Sequence, residues 1–240
     1  MLDINAIEAA KTQLDKRGNG DLLKVSDLPD KGELDIRILP PTPSLGNLFY
    51  LKTVDLKLGE KGGWAKSLLT FGNNDCPVMK IWNEAKQSSD KEVAARAKAI
   101  KESPSYFIPV LHLTKLDNKG NVLESKPTIL AAKATIVSLI SGYFADGKFN
   151  NGKDDLLADR EEGLNFTIKR TGTGQFDTKY TLQPFPRATS FMDEKYDEVY
   201  NAVPDAAEVY KAMMGDISGE VDKITSYLYG KATTRDVEDK

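Results

Sequence analysis

Alternation of polar and apolar residues in the middle of the chain predicts a protein rich in β-strands. Residues 33–39 alternate regularly, as expected of a strand with one buried face. Residues 106–114 form a strongly apolar strand, in which alternation cannot decide which side chains face a core. Turn residues predict hairpins within 48–71 and within 164–184. Together these segments predict a small β-barrel of about five strands, and an OB-type barrel is the natural candidate because it tolerates long loops.

Helical spacing of apolar residues occurs at both ends of the chain and in one insertion. Residues 4–17 predict a short amphipathic helix, and a helical insertion is expected at about 75–103, as helices 77–87 and 90–102. The pattern from Met192 onward is again helical. The predicted fold class is β-rich α+β, an OB-fold-like five-stranded barrel with a helical subdomain insertion. The predicted parts are an N-terminal helix and connector (1–30), a β-rich core (31–190) and an acidic helical C-terminal segment (191–240).

Composition excludes several classes of protein. The chain has 240 residues, of which 40% are hydrophobic, enough for a sizeable core. No apolar stretch approaches the roughly 20 residues that cross a bilayer. The one cysteine excludes an intramolecular disulfide framework, and the one histidine excludes a metal site of four His and Cys ligands. The N-terminus has no secretory pattern, so we expect a cytoplasmic protein.

Charge is unevenly distributed along the chain. The net charge is −3, but residues 31–190 carry 23 basic and 18 acidic side chains, whereas residues 191–240 carry 6 basic and 12 acidic ones. A basic middle joined to an acidic end is typical of nucleic-acid binders with interaction tails. A solvated helical C-terminus accounts for the same charges, so the distribution alone leaves both interpretations open.

Motifs for catalysis are absent from the sequence. There is no Gly-x-Ser-x-Gly nucleophile turn and no phosphate-binding loop. Asp154 and Asp155 could hold a metal, but they fall in a polar loop beside Lys153, where a solvated loop is the favoured interpretation. We therefore expect no catalytic residues and no enzymatic activity.

Aromatic residues interleaved with basic ones are the strongest chemical signal. Cations follow the phosphates of a single strand, and flat rings stack on exposed bases regardless of base identity. Any one of these rings could instead be part of the core. The interleaved residues include Trp64, Lys101, Tyr106, Phe107, Lys169, Arg170, Phe176, Lys179 and Tyr180.

Five collinear pieces of the chain resemble one protein family. They are the strand Ile36–Pro40, Gly63–Trp64, Cys76–Pro77–Val78, Ser105–Tyr106–Phe107 and the basic, aromatic hairpin from Phe166 to Tyr180. Their order and spacing resemble those of the single-stranded-DNA-binding, helix-destabilising proteins of T-even-like bacteriophages. The resemblance covers roughly residues 4–190.

The resemblance implies an OB-fold core with a cleft lined by aromatic and basic residues. It implies sequence-independent binding of single-stranded DNA in phage replication, recombination and repair, in the cytoplasm of the infected bacterial host. Trp64 and Arg170 are candidates only because aromatic and basic residues are interleaved around them. The residues that the resemblance assigns to stacking are Tyr106, Phe107, Phe176 and Tyr180, and those that it assigns to backbone contacts are Lys101, Lys133, Lys169 and Lys179.

The sequence departs from the family in three ways. Family members hold a structural zinc with three Cys and one His, but here Cys76 stands alone and Met79 replaces the second Cys. We therefore predict no zinc and no other cofactor. The family's N-terminal basic cluster is reduced to Lys16–Arg17, and the C-terminal segment is helical in pattern as well as acidic. By analogy, residues 191–240 could dock phage replication or recombination proteins.

Two rival interpretations stay open. A phage structural or assembly protein would form stable oligomers without binding nucleic acid. An enzyme acting on nucleic acid would use a metal held by carboxylates such as Asp154 and Asp155. Nothing in the sequence separates DNA from RNA, because the contact with a 2′-hydroxyl would be a single unknown group.

Overall fold

The computed structural model describes residues 22–46, 48–60, 63–116, 122–145, 164–174, 177–185, 198 and 201–230. The predicted helix 4–17, the ring of Phe176 and the pair Asp154–Asp155 lie outside these residues. Within them the protein is mixed α+β, with eight strands and five α-helices. The α+β class is therefore confirmed.

The strands form an open sheet. Six of them lie in the order β1-β6-β5-β2-β7-β8, and β3 pairs with β4 and with β5. A closed five-stranded barrel is not confirmed, since the ends of this sheet are not joined among the described strands. The strands are β1 (Leu22–Lys24), β2 (Glu33–Ile38), β3 (Leu51–Lys57), β4 (Trp64–Lys66), β5 (Lys101–Leu116), β6 (Val122–Ala132), β7 (Asn165–Thr171) and β8 (Lys179–Pro184).

The helices follow local signals in the sequence. Pro77 occupies the first turn of α1, where its missing N–H costs no hydrogen bond, and the Asp90 carboxylate caps α2 by accepting from the backbone N–H of Glu92 at 2.8 Å. The helices are α1 (Pro77–Lys86), α2 (Lys91–Ala99), α3 (Ala134–Ala145), α4 (Ala206–Met214) and α5 (Ile217–Tyr229).

Most predicted elements are confirmed, and one is shortened. The two insertion helices and the β7–β8 hairpin lie within a few residues of their predicted bounds. The second strand of the predicted hairpin 48–71 ends at Lys66. It ends there because the Ser67 hydroxyl accepts a hydrogen bond from the backbone N–H of Leu69 at 3.1 Å and caps a 3-10 turn, Leu68–Phe71.

The described chain divides into two compact units. Unit 1 contains the described residues up to Leu51 and those of Tyr106–Val209. Unit 2 contains Lys52–Ser105 and the described residues from Tyr210 onward. This division differs from the three consecutive segments predicted from the sequence, since the predicted C-terminal segment is shared between the units. The predicted insertion lies within unit 2.

The core of unit 1 lies between the sheet and α3. Ile36 and Ile38 of β2, with Val110 of β5, are fully buried against Ile136 and Ile140 of α3. Full burial of such side chains contributes about 1.5–3 kcal/mol each. This packing fixes α3 on one face of the sheet and so positions the residues at its C-terminal end.

Unit 2 has its own core, to which the C-terminal helix contributes. Ile224 and Leu228 of α5 are fully buried and pack in one cluster with Val78 of α1 and Ala97 of α2. The Arg96 guanidinium of α2 donates to the Leu228 carbonyl at 2.9 Å. Residues of the acidic C-terminal segment therefore form part of a hydrophobic core.

Candidate nucleic-acid interface

The β7–β8 hairpin brings together four of the residues selected from the sequence. Arg170 lies opposite Tyr180 in the strand pairing, and Lys169 and Lys179 lie beside them on the two strands. The turn depends on Gly172, whose φ of +88° suits glycine and whose added Cβ would meet the Asp177 carbonyl oxygen. The hairpin therefore brings three cations and one ring to neighbouring positions on two strands.

Two cations of this hairpin make internal bonds. The Lys169 ammonium forms an ion pair with Glu33 on the neighbouring strand, at 2.6 Å. The Arg170 guanidinium donates to the carbonyl oxygens of Ser26 and Leu28, at 2.7 and 2.5 Å. Arg170 thus fastens the segment after β1 to the hairpin. Lys179 is exposed.

A second group of aromatic side chains lies in unit 1. The rings of Tyr106, Tyr50, Phe49 and Phe144 form a chain of contacts, which we call the aromatic row. Its centroid separations are 5.3 Å for Tyr106–Tyr50, 5.0 Å for Tyr50–Phe49 and 5.0 Å for Phe49–Phe144. All four side chains are half-buried against the edge of the unit 1 core. Each of these residues thus packs against the core and keeps part of its surface accessible to solvent.

The elements around the aromatic row explain its position. Tyr106 lies in β5 and pairs with Ala132 at the end of β6. Lys133 follows, is exposed, and accepts through its carbonyl from the backbone N–H of Ile136 at 3.0 Å, which starts α3. Phe144 lies at the far end of the same helix. Exposed Lys133 therefore directly follows the residue that pairs with Tyr106, at the start of α3.

Ring geometry within the aromatic row favours contact by single rings. Tyr50 stands nearly perpendicular to both neighbours, with interplanar angles of 77° to Tyr106 and 85° to Phe49. Edge-to-face pairs of this kind are a favoured arrangement of aromatic side chains. A base stacked on Tyr50 would therefore lie nearly perpendicular to a base stacked on Tyr106 or on Phe49, so bases on these three rings would have to be separated.

Phe107 requires a correction. Its side chain is only 4% exposed, so the ring has no free face on which a base could stack. Successive side chains of a strand point to opposite faces, which separates Phe107 from Tyr106. The strand is buried on both faces here, since Ile108 and Leu111 are both fully buried. Phe107 is a core residue.

Two candidates belong to unit 2. Trp64 is 44% exposed and lies opposite Lys57 in the β3–β4 pair. Lys101 is exposed at the start of β5. An exposed indole beside a lysine is compatible with a base contact within this unit.

Cys76 is fully buried at the start of α1. Burial raises the pKa of its thiol, but hydrogen bonds from the Ser67 hydroxyl and from the backbone N–H groups of Met79, Leu68 and Val78 outweigh it and lower the pKa overall. Met79 packs against the unit 2 core. In the part of the chain that the structure describes, no three His, Cys, Asp or Glu side chains are grouped as a metal site would require.

Sequence reasoning missed three of the four rings in the aromatic row. Phe49 and Tyr50 follow a segment that contains three prolines and one glycine, and Phe144 lies in the last turn of α3. An aromatic pair directly after such a segment is the one local signal that could have drawn attention to them.

Comparison with known proteins gives no identification. No family model matches the chain, and no curated protein matches it significantly. Across the described residues, no helix combines the length and the apolar character that a membrane crossing needs.

Proposed function

We propose that this protein binds single-stranded DNA without sequence specificity and without catalysing a reaction, as part of phage DNA replication, recombination and repair. The observation that carries the proposal is the aromatic row of half-buried rings. Exposed Lys133 directly follows Ala132, the strand partner of Tyr106. Stacking on such rings contributes about 1–3 kcal/mol per base and does not depend on base identity.

Binding through the aromatic row requires unpaired bases. In a duplex the faces of the bases are stacked on one another, so no ring can reach them. Lys179 is exposed on the hairpin and supplies a cation for phosphates. Binding in this way lowers the free energy of the unpaired DNA strand and so promotes the melting of DNA hairpins.

The resemblance to the phage proteins supports the same proposal at the level of the fold. It carries the expectation of an OB-like barrel, of which the open sheet supports only the mixed α+β class. It also carries the expectation that residues 191–240 dock replication or recombination proteins. Because Ile224 and Leu228 of this segment are buried, such docking would use its outward-facing acidic side chains.

The test is a titration of the full chain with fluorescently labelled oligo-dT, matched duplex DNA and oligo-rU, each at two salt concentrations. We expect tight binding to oligo-dT, weak binding to the duplex, and a salt dependence of about −0.7 in log K per log salt for each neutralised phosphate. The oligo-rU arm decides between DNA and RNA.

Two outcomes would overturn the proposal. Absence of binding to oligo-dT at low salt is one, and equal affinity for single strand and duplex is the other. Stable oligomers in the absence of binding would point instead to a structural or assembly protein.

A further inference from the structure

The segment that delivers Phe49 and Tyr50 also exposes a large apolar side chain. Leu48 is 55% exposed and directly precedes the two rings. Its backbone N–H donates to the Leu45 carbonyl at 3.1 Å, which closes the turn from which the side chain projects. An exposed aliphatic side chain thus directly precedes, along the chain, two rings of the aromatic row.

The segment before Leu48 is anchored to the body of unit 1. Pro40 and Pro41 restrict the backbone, because proline fixes φ. Thr42 and Leu45 are each only 7% exposed, and the Leu45 N–H donates to the Thr42 carbonyl at 2.9 Å. Thr42 and Leu45 are therefore held against the body of unit 1, whereas Leu48 is exposed.

A carboxylate fastens the same turn to α4. Asp205 accepts from the backbone N–H groups of Ala207 and Glu208, at 2.8 and 3.1 Å, and so caps the helix. Burial raises the pKa of Asp205, but hydrogen bonds from the hydroxyls of Ser44 and Thr42 and from these N–H groups outweigh it and lower the pKa overall. The ionised carboxylate therefore binds both the helix and the turn.

Anchoring matters because an ordered segment loses little conformational freedom on binding. An apolar side chain on a fixed turn can enter the space between two bases, where a mobile one would first have to be ordered. Apolar side chains used in this way separate neighbouring bases and remove their stacking. The perpendicular rings of the aromatic row need bases that are separated in this way.

We infer that Leu48 is a wedge that inserts between adjacent bases of the bound strand and directs them onto the rings of Phe49 and Tyr50. The inference rests on the proposed function. In this inference Leu48 separates neighbouring bases, and the rings of Phe49 and Tyr50 hold the separated bases.

The test compares Leu48→Ala with Leu123→Ala in the full chain. Leu123 lies in β6 of the same unit and is 56% exposed, so it is a control matched in residue type and exposure. The probe is an oligonucleotide with 2-aminopurine between adenines, whose fluorescence rises when its neighbours unstack. Affinity and the fluorescence at saturating protein are measured separately.

We expect Leu48→Ala to weaken binding roughly 3- to 10-fold, because buried methyl groups are lost from the contact with the bases. It should also reduce the fluorescence rise at saturation by at least about half, which a change in affinity alone would not do. Leu48→Met keeps an apolar wedge and should retain most of the rise. Leu123→Ala should match the unchanged chain in both readouts.

Each outcome decides a different question. If the unchanged chain does not bind the probe, the proposed function fails. If the chain binds and Leu48→Ala behaves like Leu123→Ala, the wedge is refuted while the proposed function stands. Thermal unfolding of the variants checks that these exposed positions leave stability unchanged.

Discussion

The β7–β8 hairpin and the aromatic row lie in the same unit, but their side chains are engaged differently. In the hairpin, Lys169 is paired with Glu33, and Arg170 donates to two backbone carbonyls. In the aromatic row, each ring contacts a neighbouring ring and is half-buried. The hairpin looks more like a nucleic-acid site in the sequence, whereas the row is better prepared for one in the structure. Residue type shows what a side chain can bind, and its contacts show whether it is already bound.

The largest expected effect comes from removing rings of the aromatic row. Tyr50→Leu and Tyr106→Leu keep apolar volume against the core but remove the flat face. Each should weaken oligo-dT binding roughly 5- to 150-fold, which corresponds to stacking of one base at 1–3 kcal/mol. The measurement is fluorescence anisotropy at fixed salt.

Tyr229→Leu is the control for the ring variants, because Tyr229 is 50% exposed and lies in α5 of unit 2. It should leave affinity within about 2-fold of the unchanged chain. Equal losses of oligo-dT affinity from Tyr229→Leu and Tyr50→Leu would show that the aromatic row contributes no more to binding than another exposed tyrosine.

Local sequence patterns predict some elements of the fold and miss others. Alternation is a local signal, and it locates β2 and the β7–β8 hairpin within a few residues. It cannot reveal that β1 pairs in parallel with β6, where Leu22 lies opposite Ile129. Nor can it place Phe107, because both faces of β5 are apolar and buried at that point. Pairing between distant segments is decided by tertiary packing.

The candidate site was predicted in part for the same reason. Tyr106 and Lys133 are both selected from the sequence, and Lys133 directly follows Ala132, the strand partner of Tyr106. Phe49 and Phe144 are separated by more than 90 residues and meet only because α3 packs on the sheet. A contact of this kind has no periodic signature in the sequence.

The second-largest expected effect concerns Arg170, whose guanidinium makes hydrogen bonds within unit 1. Arg170→Ala should lower the free energy of unfolding by about 1.5–3 kcal/mol, because it removes charged hydrogen bonds to the carbonyls of Ser26 and Leu28. Affinity for oligo-dT, measured well below the melting temperature, should change by less than about 2-fold. Chemical denaturation gives the stability.

Lys179→Ala serves as the matched cation change, since Lys179 is exposed on the partner strand of the same hairpin. It should alter the free energy of unfolding by no more than about 0.5 kcal/mol. Should Arg170→Ala instead weaken DNA binding strongly and leave stability unchanged, Arg170 would contact DNA directly. The hairpin would then be part of the binding site and not only structural support.

The smallest expected effect comes from releasing a hairpin cation. Glu33→Gln removes the carboxylate that binds Lys169, so the ammonium becomes available to a phosphate. Because exposed ion pairs contribute at most about 1 kcal/mol, the gain in oligo-dT affinity should be about 2- to 5-fold. The salt dependence should steepen by about 0.7 if one further phosphate is neutralised.

Glu124→Gln makes the same chemical change in another cross-strand pair of unit 1, since Glu124 binds Lys115 at 3.3 Å between β5 and β6. Both variants raise the net charge of the protein equally, so a general electrostatic effect would increase both affinities alike. A gain confined to Glu33→Gln would mean that the hairpin lies along the path of the strand and that Glu33 limits its contribution. Equal gains would leave the hairpin as structural support and concentrate binding on the aromatic row.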